Sequence, residues 1–380
     1  MTDTPRTVAT VPLAQPNISS LERKLVDAVL TSDTLAMGPY TLEFENRIAS
    51  LAGRRHGIAV SSGTAGLQLA VRALKIGPGD EVITTPFSFV ASANCILLEG
   101  ATPVFVDIEE TTMGMDPGLA ELAIGSSTRA LLPVHVFGSP CRIVELEALS
   151  RLRTLALIED ACEALGSSIG GRPMGSFGEA SVFAFYPNKQ ITTGEGGMVL
   201  TDDDELARQF GSLRNQGRDA DSTWLRHVQL GFNFRMDELS AALGVGQVQR
   251  LGELKIGRDR VAAAYRERLG GIDWLTLPKQ ATDAEVDWFV FVVRLDRRLD
   301  RDRMIGQLEA RGVSTRPYFT PLHLQPFYRE RFGFREGDFP ITERVAMSTL
   351  AIPFSSRLTD DQVDQVSAAL IASATEQGVT

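Results

Sequence analysis

Cysteine is scarce. Cys95, Cys141 and Cys162 are the only three in 380 residues, and no two form a CxxC pair. An odd number without paired spacing excludes a disulfide frame or a cysteine zinc site; the three read as buried thiols in a reducing compartment. Histidine is nearly as rare: His56, His135, His227 and His323 lie far apart with no HExxH spacing, so no metal is expected. No window approaches the roughly 18 to 20 uncharged apolar residues of a membrane span. The opening "MTDTPRTVATVPLAQPNISS" lacks an apolar stretch of signal-peptide length, which leads us to expect a cytoplasmic protein. Basic residues are outnumbered, 38 Lys and Arg against 48 Asp and Glu, for a net charge of -10. That balance argues against a nucleic-acid partner, although a local basic cluster can still hold a small anion. Internal repeats and low-complexity segments are absent too.

What the chain does have is apolar material in short runs. Hydrophobic residues make up 43% of it, ample for a large core. Two helical patterns come first, Ser19 to Thr31 and Tyr40 to Ala52. Strands and helices then alternate. "IAV", "EVITT", "TPVFVD", "RALLPVHVF", "TLALIED", "ASVFAFY" and "GMVLT" are β-prone, and helices are expected at 65–74, 90–98 and 144–152. Such alternation predicts an α/β fold with a mostly parallel sheet covered on both faces. The pattern changes near Arg250. A long charged helix, "LKIGRDRVAAAYRERL", is followed by the strand "VDWFVFVVRL", the helix "RDRMIGQLEARGV", and a last helix that Thr359 opens as N-cap. Residues 1–250 are therefore expected to form a large domain with an N-terminal arm, and 251–380 a smaller α+β domain.

Three constellations carry chemistry. In "VSSGTAGLQLAVRAL" a strand runs through Gly63 and Thr64 into a helix, whose open N–H groups and dipole attract anions; a capped helix after a tight turn would look the same. In "LALIEDACEALG" Asp160 ends an apolar strand, at the edge where open α/β sheets place ligands, or else caps the next helix. In "SVFAFYPNKQITTGEGGMVLTDD" a single lysine, Lys189, lies between two apolar runs beside the glycine-rich Gly194–Gly197 turn. A surface-loop lysine is the plain alternative. A lysine at low dielectric is a candidate nucleophile. Together an anion cup, a carboxylate after a strand and a lysine suggest pyridoxal phosphate. Phe89, in "PFSFVASAN", is placed either to stack on its ring or in ordinary core.

With these residues in hand, the sequence resembles the DegT/DnrJ/StrS family of sugar aminotransferases, which have the fold-type I (aspartate aminotransferase-like) architecture. The resemblance covers nearly the whole chain, through ordered motifs such as "TLAMGPYTLEFE", "GPGDEVITTPFSFVASAN", "IEDACEALG", "FAFYPNKQITTGEGGMVLTDD", "GFNFRMDELSAALGVGQ" and "RPYFTPLHLQPFY". It implies that Lys189 forms the Schiff base and shuttles a proton, and that Asp160 pairs with the pyridine nitrogen. It also implies that Gly63 and Thr64 bind the phosphate, and that Phe89 stacks on the ring. Glu163 stands where many members have Gln or His near the phenolic oxygen, and resembles the perosamine-synthase branch in this. Asn233 matches an asparagine that reaches a neighbouring subunit's phosphate, implying a homodimer with shared sites. Arg218 and His323 match positions near a sugar-nucleotide substrate. One departure is Ala184, where many members have a serine hydroxyl on the phosphate; Ser181 or a water is the replacement to look for.

The function this implies is transfer of an amino group, from glutamate, to a nucleotide-linked keto-hexose, a 4-keto-6-deoxy sugar as for perosamine. A 3-keto sugar or a keto-cyclitol is the alternative within the same chemistry. A cofactor-dependent dehydratase would carry histidine in place of Lys189. A regulatory or sensor protein would need neither the lysine nor the aspartate and phosphate cup. Arg218, Arg235 and Arg316 are the candidate cations for a diphosphate.

Overall fold

The structure, a computed structural model, describes residues 10–219 and 225–379. Its main sheet has seven strands in the order His56–Val60, Gly197–Thr201, Ala180–Ala184, Ala156–Asp160, Thr128–Leu131, Glu81–Thr84 and Thr102–Phe105. Gly197–Thr201 runs antiparallel to both neighbours, and every other pairing is parallel. Helices cover both faces, which is why the strands are apolar along most of their length rather than alternating. The pleat still sorts side chains. Val182 and Val199 pack with Val60, Leu67 and Val71 on one face, whereas Phe183 and Leu200 pack with Phe44, Ile48 and Leu157 on the other.

A second, antiparallel sheet joins Leu275–Thr276, Phe291–Leu295 and Thr349–Ile352. Its core gathers Tyr265, Phe291, Leu350 and Val366. The long charged helix, Leu251–Leu269, begins where the helix Glu238–Gln249 ends and packs on the last helix, Asp360–Glu376. The arm crosses over to this part of the molecule: Val11 exchanges backbone hydrogen bonds with Gly312 (2.7 Å) and Ser314 (3.1 Å).

Two capping boxes fix helix starts, Ser19 with Glu22 and Thr359 with Gln362. The run "RALLPVHVF" is shorter as a strand than its composition suggests. Its regular ladder ends at Leu131, ahead of Pro133, which has no N–H to donate; an isolated bridge between Val134 and Asp160 follows before the chain turns through a short 3-10 segment at Val136–Gly138. The helix Glu238–Gln249 is poorly marked in sequence because it contains Gly244 and Gly246, weak helix formers. Packing explains both. A Cβ at Gly244 would lie 2.7 Å from the Phe44 ring, and one at Gly246 would lie 2.8 Å from Glu22.

Candidate active site

Lys189 lies in the connection from Phe185 to Gly196, which joins the antiparallel strands Ala180–Ala184 and Gly197–Thr201. The connection is closed on itself. Phe185 N–H donates to Gly196 (2.9 Å), Thr193 N–H to Phe185 (2.9 Å) and Lys189 N–H to Tyr186 (2.9 Å). Behind the lysine, Gln190 is buried and its amide donates to the Asp287 carbonyl (3.0 Å). Arg258, on the long helix, donates to the Gln190 carbonyl (2.8 Å) and grips the Asp287 carboxylate at 2.9 Å twice. The backbone around the lysine is thus fixed from two sides, and its Nζ projects toward Glu163 Oε1 at 3.2 Å. Both side chains are nearly buried, 13% and 10% exposed.

Asp160 ends its strand at 4% exposure. Its carboxylate accepts from the Ser92 hydroxyl (2.7 Å) and the Cys162 N–H (3.2 Å), and Ser88 lies 2.7 Å from Ser92. Among the described residues it has no basic partner in an ion pair. A buried carboxylate bonded only to neutral donors remains costly, so a cationic group facing it would be stabilised. The helix-cap alternative does not hold: residues 161–167 form turns, not a helix. Burial, and then the Asp160 charge, push the Cys162 thiol up, so it is a neutral wall residue.

Gly63 and Thr64 open the helix Gly63–Ala73. Ser62 caps Ala65 N–H (3.1 Å), while the first-turn N–H groups of Gly63 and Thr64 have no intrahelical acceptor. Only glycine fits at 63, since a Cβ there would be 2.7 Å from Ala184 and 3.0 Å from the Cys162 sulfur. Ala184 therefore sits against the anion cup, where a serine would add a donor. Ser181 does not replace it: its buried hydroxyl donates to the Gly175 carbonyl. Phe89 is 60% exposed, so it is not core.

One cavity of about 1400 Å³ brings together Gly63, Thr64, Phe89, Glu163, Ala184 and Lys189. Asp160 is buried directly behind its Cys162 wall, linked by the backbone bond above. The outer wall is formed by Phe319, Phe327, Tyr328 and Arg331. The other expected residues lie off this lining. His323 is fully buried, with Nε2 2.9 Å from Glu343 and its ring against Phe339. Arg218 pairs its backbone with Asn215 and with His227, beside residues 220–224, which lie outside the described residues. Arg235 donates to Asn215 (2.9 Å), Arg316 is exposed, and Asn233 is exposed. Sequence reasoning missed Ser92, Gln190, Arg258, Asp287 and Arg331. Their signals are weak, because a serine in a helix or an arginine in a charged helix looks like a solvent residue.

The profile of the DegT/DnrJ/EryC1/StrS aminotransferase family matches residues 16–371. The chain belongs to this family. Among curated relatives, it is 37% identical over 374 residues to GDP-perosamine synthase from Caulobacter vibrioides, covering 97% of this chain and 99% of that protein. Its fold superposes on S. venezuelae DesV in complex with a ketimine intermediate with a TM-score of 0.87, at 36% identity, covering 93% and 94% of the two chains. The sugar aminotransferase Spr1654 from Streptococcus pneumoniae, described as putative and solved in its PLP form, superposes with a TM-score of 0.92 at 27% identity, covering 97% and 99%. The protein is a sugar aminotransferase, and its cofactor is pyridoxal 5'-phosphate. The residues fit that group. A glycine-lined helix start suits its phosphate, a buried carboxylate without a cation suits its ring nitrogen, and a nearly buried amine suits its aldehyde. Among the described residues no helix is long and apolar enough to cross a membrane.

Proposed function

We propose that this aminotransferase moves an amino group from glutamate to a nucleotide-linked keto-hexose, with a 4-amino-4,6-dideoxy sugar as the product class, and that it works in the cytoplasm as a homodimer. The observation that carries the reading is the single cavity in which Lys189, the Gly63–Thr64 cup and Phe89 meet, with Asp160 behind its wall. At about 1400 Å³ it exceeds the roughly 300 to 1,000 Å³ of ordinary small-molecule sites. That leaves room for a sugar nucleotide beside the cofactor.

When bound, pyridoxal phosphate supplies an electron sink that lets nitrogen leave one substrate and enter another. Gly63 and Thr64 would hold its phosphate, Phe89 would pack on its ring, Asp160 would pair with its ring nitrogen and Glu163 would lie near its phenolic oxygen. Lys189 Nζ would be the amine that holds it and the group that moves protons. Asn233, exposed and outside its own cavity, fits a role at the partner subunit's phosphate. Arg218 stays a substrate candidate through the adjoining segment 220–224. His323 supports the Leu322–Gln325 wall and would act by holding it, since no part of it is exposed. Residues 1–250 would then form the cofactor domain and 251–380 the smaller one. The test is a panel of nucleotide-linked keto sugars with glutamate, read by mass spectrometry. Amino-sugar product that vanishes in Lys189→Ala supports the reading; no product from any of them refutes it.

A further inference from the structure

Among the described residues that line the cavity, the cations are Lys189 and Arg331. Lys189 is engaged by Glu163 and is the amine assigned to the cofactor. Arg331 is exposed and, among the described residues, makes neither an ion pair nor a hydrogen bond. In a chain of net charge -10, a guanidinium without a carboxylate beside it keeps its N–H fork for an anionic ligand. It is also held in place. Arg331 and Phe327 lie four residues apart on the helix Pro326–Phe332 and so share one face. The guanidinium carbon is 5.9 Å from the centre of the Phe327 ring and 5.7 Å from that of Phe332, contacts that leave its edge N–H groups free. Tyr328 pins the helix: it is buried, and its hydroxyl donates to Asn94 Oδ1 (2.7 Å) on the facing helix Ala91–Leu98. Phe327 is 52% exposed and Leu98 58%, so bare apolar surface lines the cavity next to the cation. Arg218, Arg235 and Arg316, the arginines expected to meet a diphosphate, lie off this lining.

We propose that the helix face bearing Phe327 and Arg331 is the subsite for the nucleoside diphosphate of the substrate: the Arg331 guanidinium pairs with the diphosphate, and the Phe327 ring packs against the base. Arginine presents a planar fork that meets two phosphate oxygens at once, which an ammonium cannot do. A base has a flat π-surface that stacks on an exposed aromatic ring. One ring and one cation on adjacent helical turns match a ligand whose flat and anionic parts are joined through a ribose. The two cations of the lining then serve the two ends of one substrate, Lys189 the keto sugar and Arg331 the nucleotide. This subsite rests on the reading of the substrate as a nucleotide-linked sugar.

The experiment uses full-length protein loaded with pyridoxal phosphate, so that the Gly63–Thr64 cup is filled. Binding of UDP, GDP, dTDP and inorganic pyrophosphate is measured by calorimetry for wild type, Arg331→Gln, Arg331→Lys and Phe327→Ala. Arg331→Gln is expected to bind the preferred nucleoside diphosphate about 10- to 100-fold more weakly than wild type, with Arg331→Lys in between. Phe327→Ala is expected to bind it at least about 5-fold more weakly. Pyrophosphate separates the two contacts, since its binding should fall in Arg331→Gln and hold in Phe327→Ala. This pattern supports the proposal. Equal affinity of wild type and Arg331→Gln for the nucleoside diphosphate overturns the subsite and leaves the proposed substrate standing. Equal affinity joined to loss of the dimer in gel filtration assigns this face to a second copy of the chain instead. A loss in Arg331→Gln that spares pyrophosphate also overturns it, because the cation would not be meeting the phosphates. If wild type binds none of the three nucleotides the subsite falls, and if it also turns over no nucleotide-linked sugar the reading of the substrate falls with it.

Discussion

Replacing Arg258 with methionine isolates the buried pair behind the lysine. Asp287 is fully buried and Arg258 nearly so, and two bonds of 2.9 Å join them. Methionine keeps much of the volume but leaves an unpaired carboxylate in the core. Breaking such a pair costs about 3 to 5 kcal/mol, and the lost bond to the Gln190 carbonyl adds about 1 kcal/mol. The sum is a loss of about 4 to 6 kcal/mol near neutral pH. Its pH dependence is the sharper signature. Burial already raises the carboxyl of Asp287 above its ordinary range, with Arg258 opposing. Without the arginine it rises further, so the folded state of the variant binds a proton more tightly than the unfolded chain does. Such a group contributes stability below the unfolded pKa near 4, and the contribution is lost as pH rises through the folded value. Urea unfolding from pH 4 to pH 8 should therefore show the variant's deficit smallest at acid pH and growing upward. The double variant Arg258→Met, Asp287→Leu should recover most of the loss, because no buried charge remains. A pH-independent deficit below about 1 kcal/mol would refute the reasoning, since that is the value of a solvent-screened pair.

Ala184→Ser should restore a donor beside Gly63, and one neutral hydrogen bond of about 0.5 to 1.5 kcal/mol corresponds to about 2- to 13-fold tighter cofactor binding; a fluorescence titration of the stripped protein measures it, and weaker binding would show that the site is too tight for the hydroxyl. Glu22 supplies a pH prediction of opposite sign to that of Asp287. Burial pushes its carboxyl up, but bonds from Ser19, Arg250 and Gln247 outweigh burial and hold it at about 2. This depressed group adds stability above the unfolded pKa near 4, worth about 3 kcal/mol, that is lost as pH falls toward 2. Glu22→Gln should then be destabilised at pH 6, with the gap to wild type closing below pH 4 in acid unfolding; a constant gap would count against it.

The alternation of short apolar strands with helices was enough to read the sheet, because each strand is buried on both faces and so is apolar throughout. Lys189 and Gly63 stand out locally in the sequence, as a charge between core strands and a glycine at a helix start, whereas Phe89 stayed open between a stacking place and core until its exposure was seen, and Glu163 was singled out only by the family resemblance. Asp160 stood out for its place, while its lack of a basic ion-pair partner among the described residues needed coordinates. Ser92 and Arg258 obey every local rule, and their roles exist only through partners 68 and 29 residues away. His323 shows the converse. Its motif is plain in the sequence, yet nothing in that motif says the ring faces Glu343 and not the cavity.

The Arg258 contact also bears on motion. The helix that carries it packs with the C-terminal helix, while its guanidinium grips the carbonyl next to Lys189. Swinging the C-terminal sheet away as a rigid lid would carry the Arg258–Asp287 pair with it, since both lie beyond residue 250, but would break the buried bonds from Arg258 to the Gln190 carbonyl and from Gln190 to the Asp287 carbonyl. Two buried bonds thus tie the backbone beside Lys189 to the C-terminal part of the chain, and the rim of the cavity is built from the segment 317–320 and the helix Pro326–Phe332.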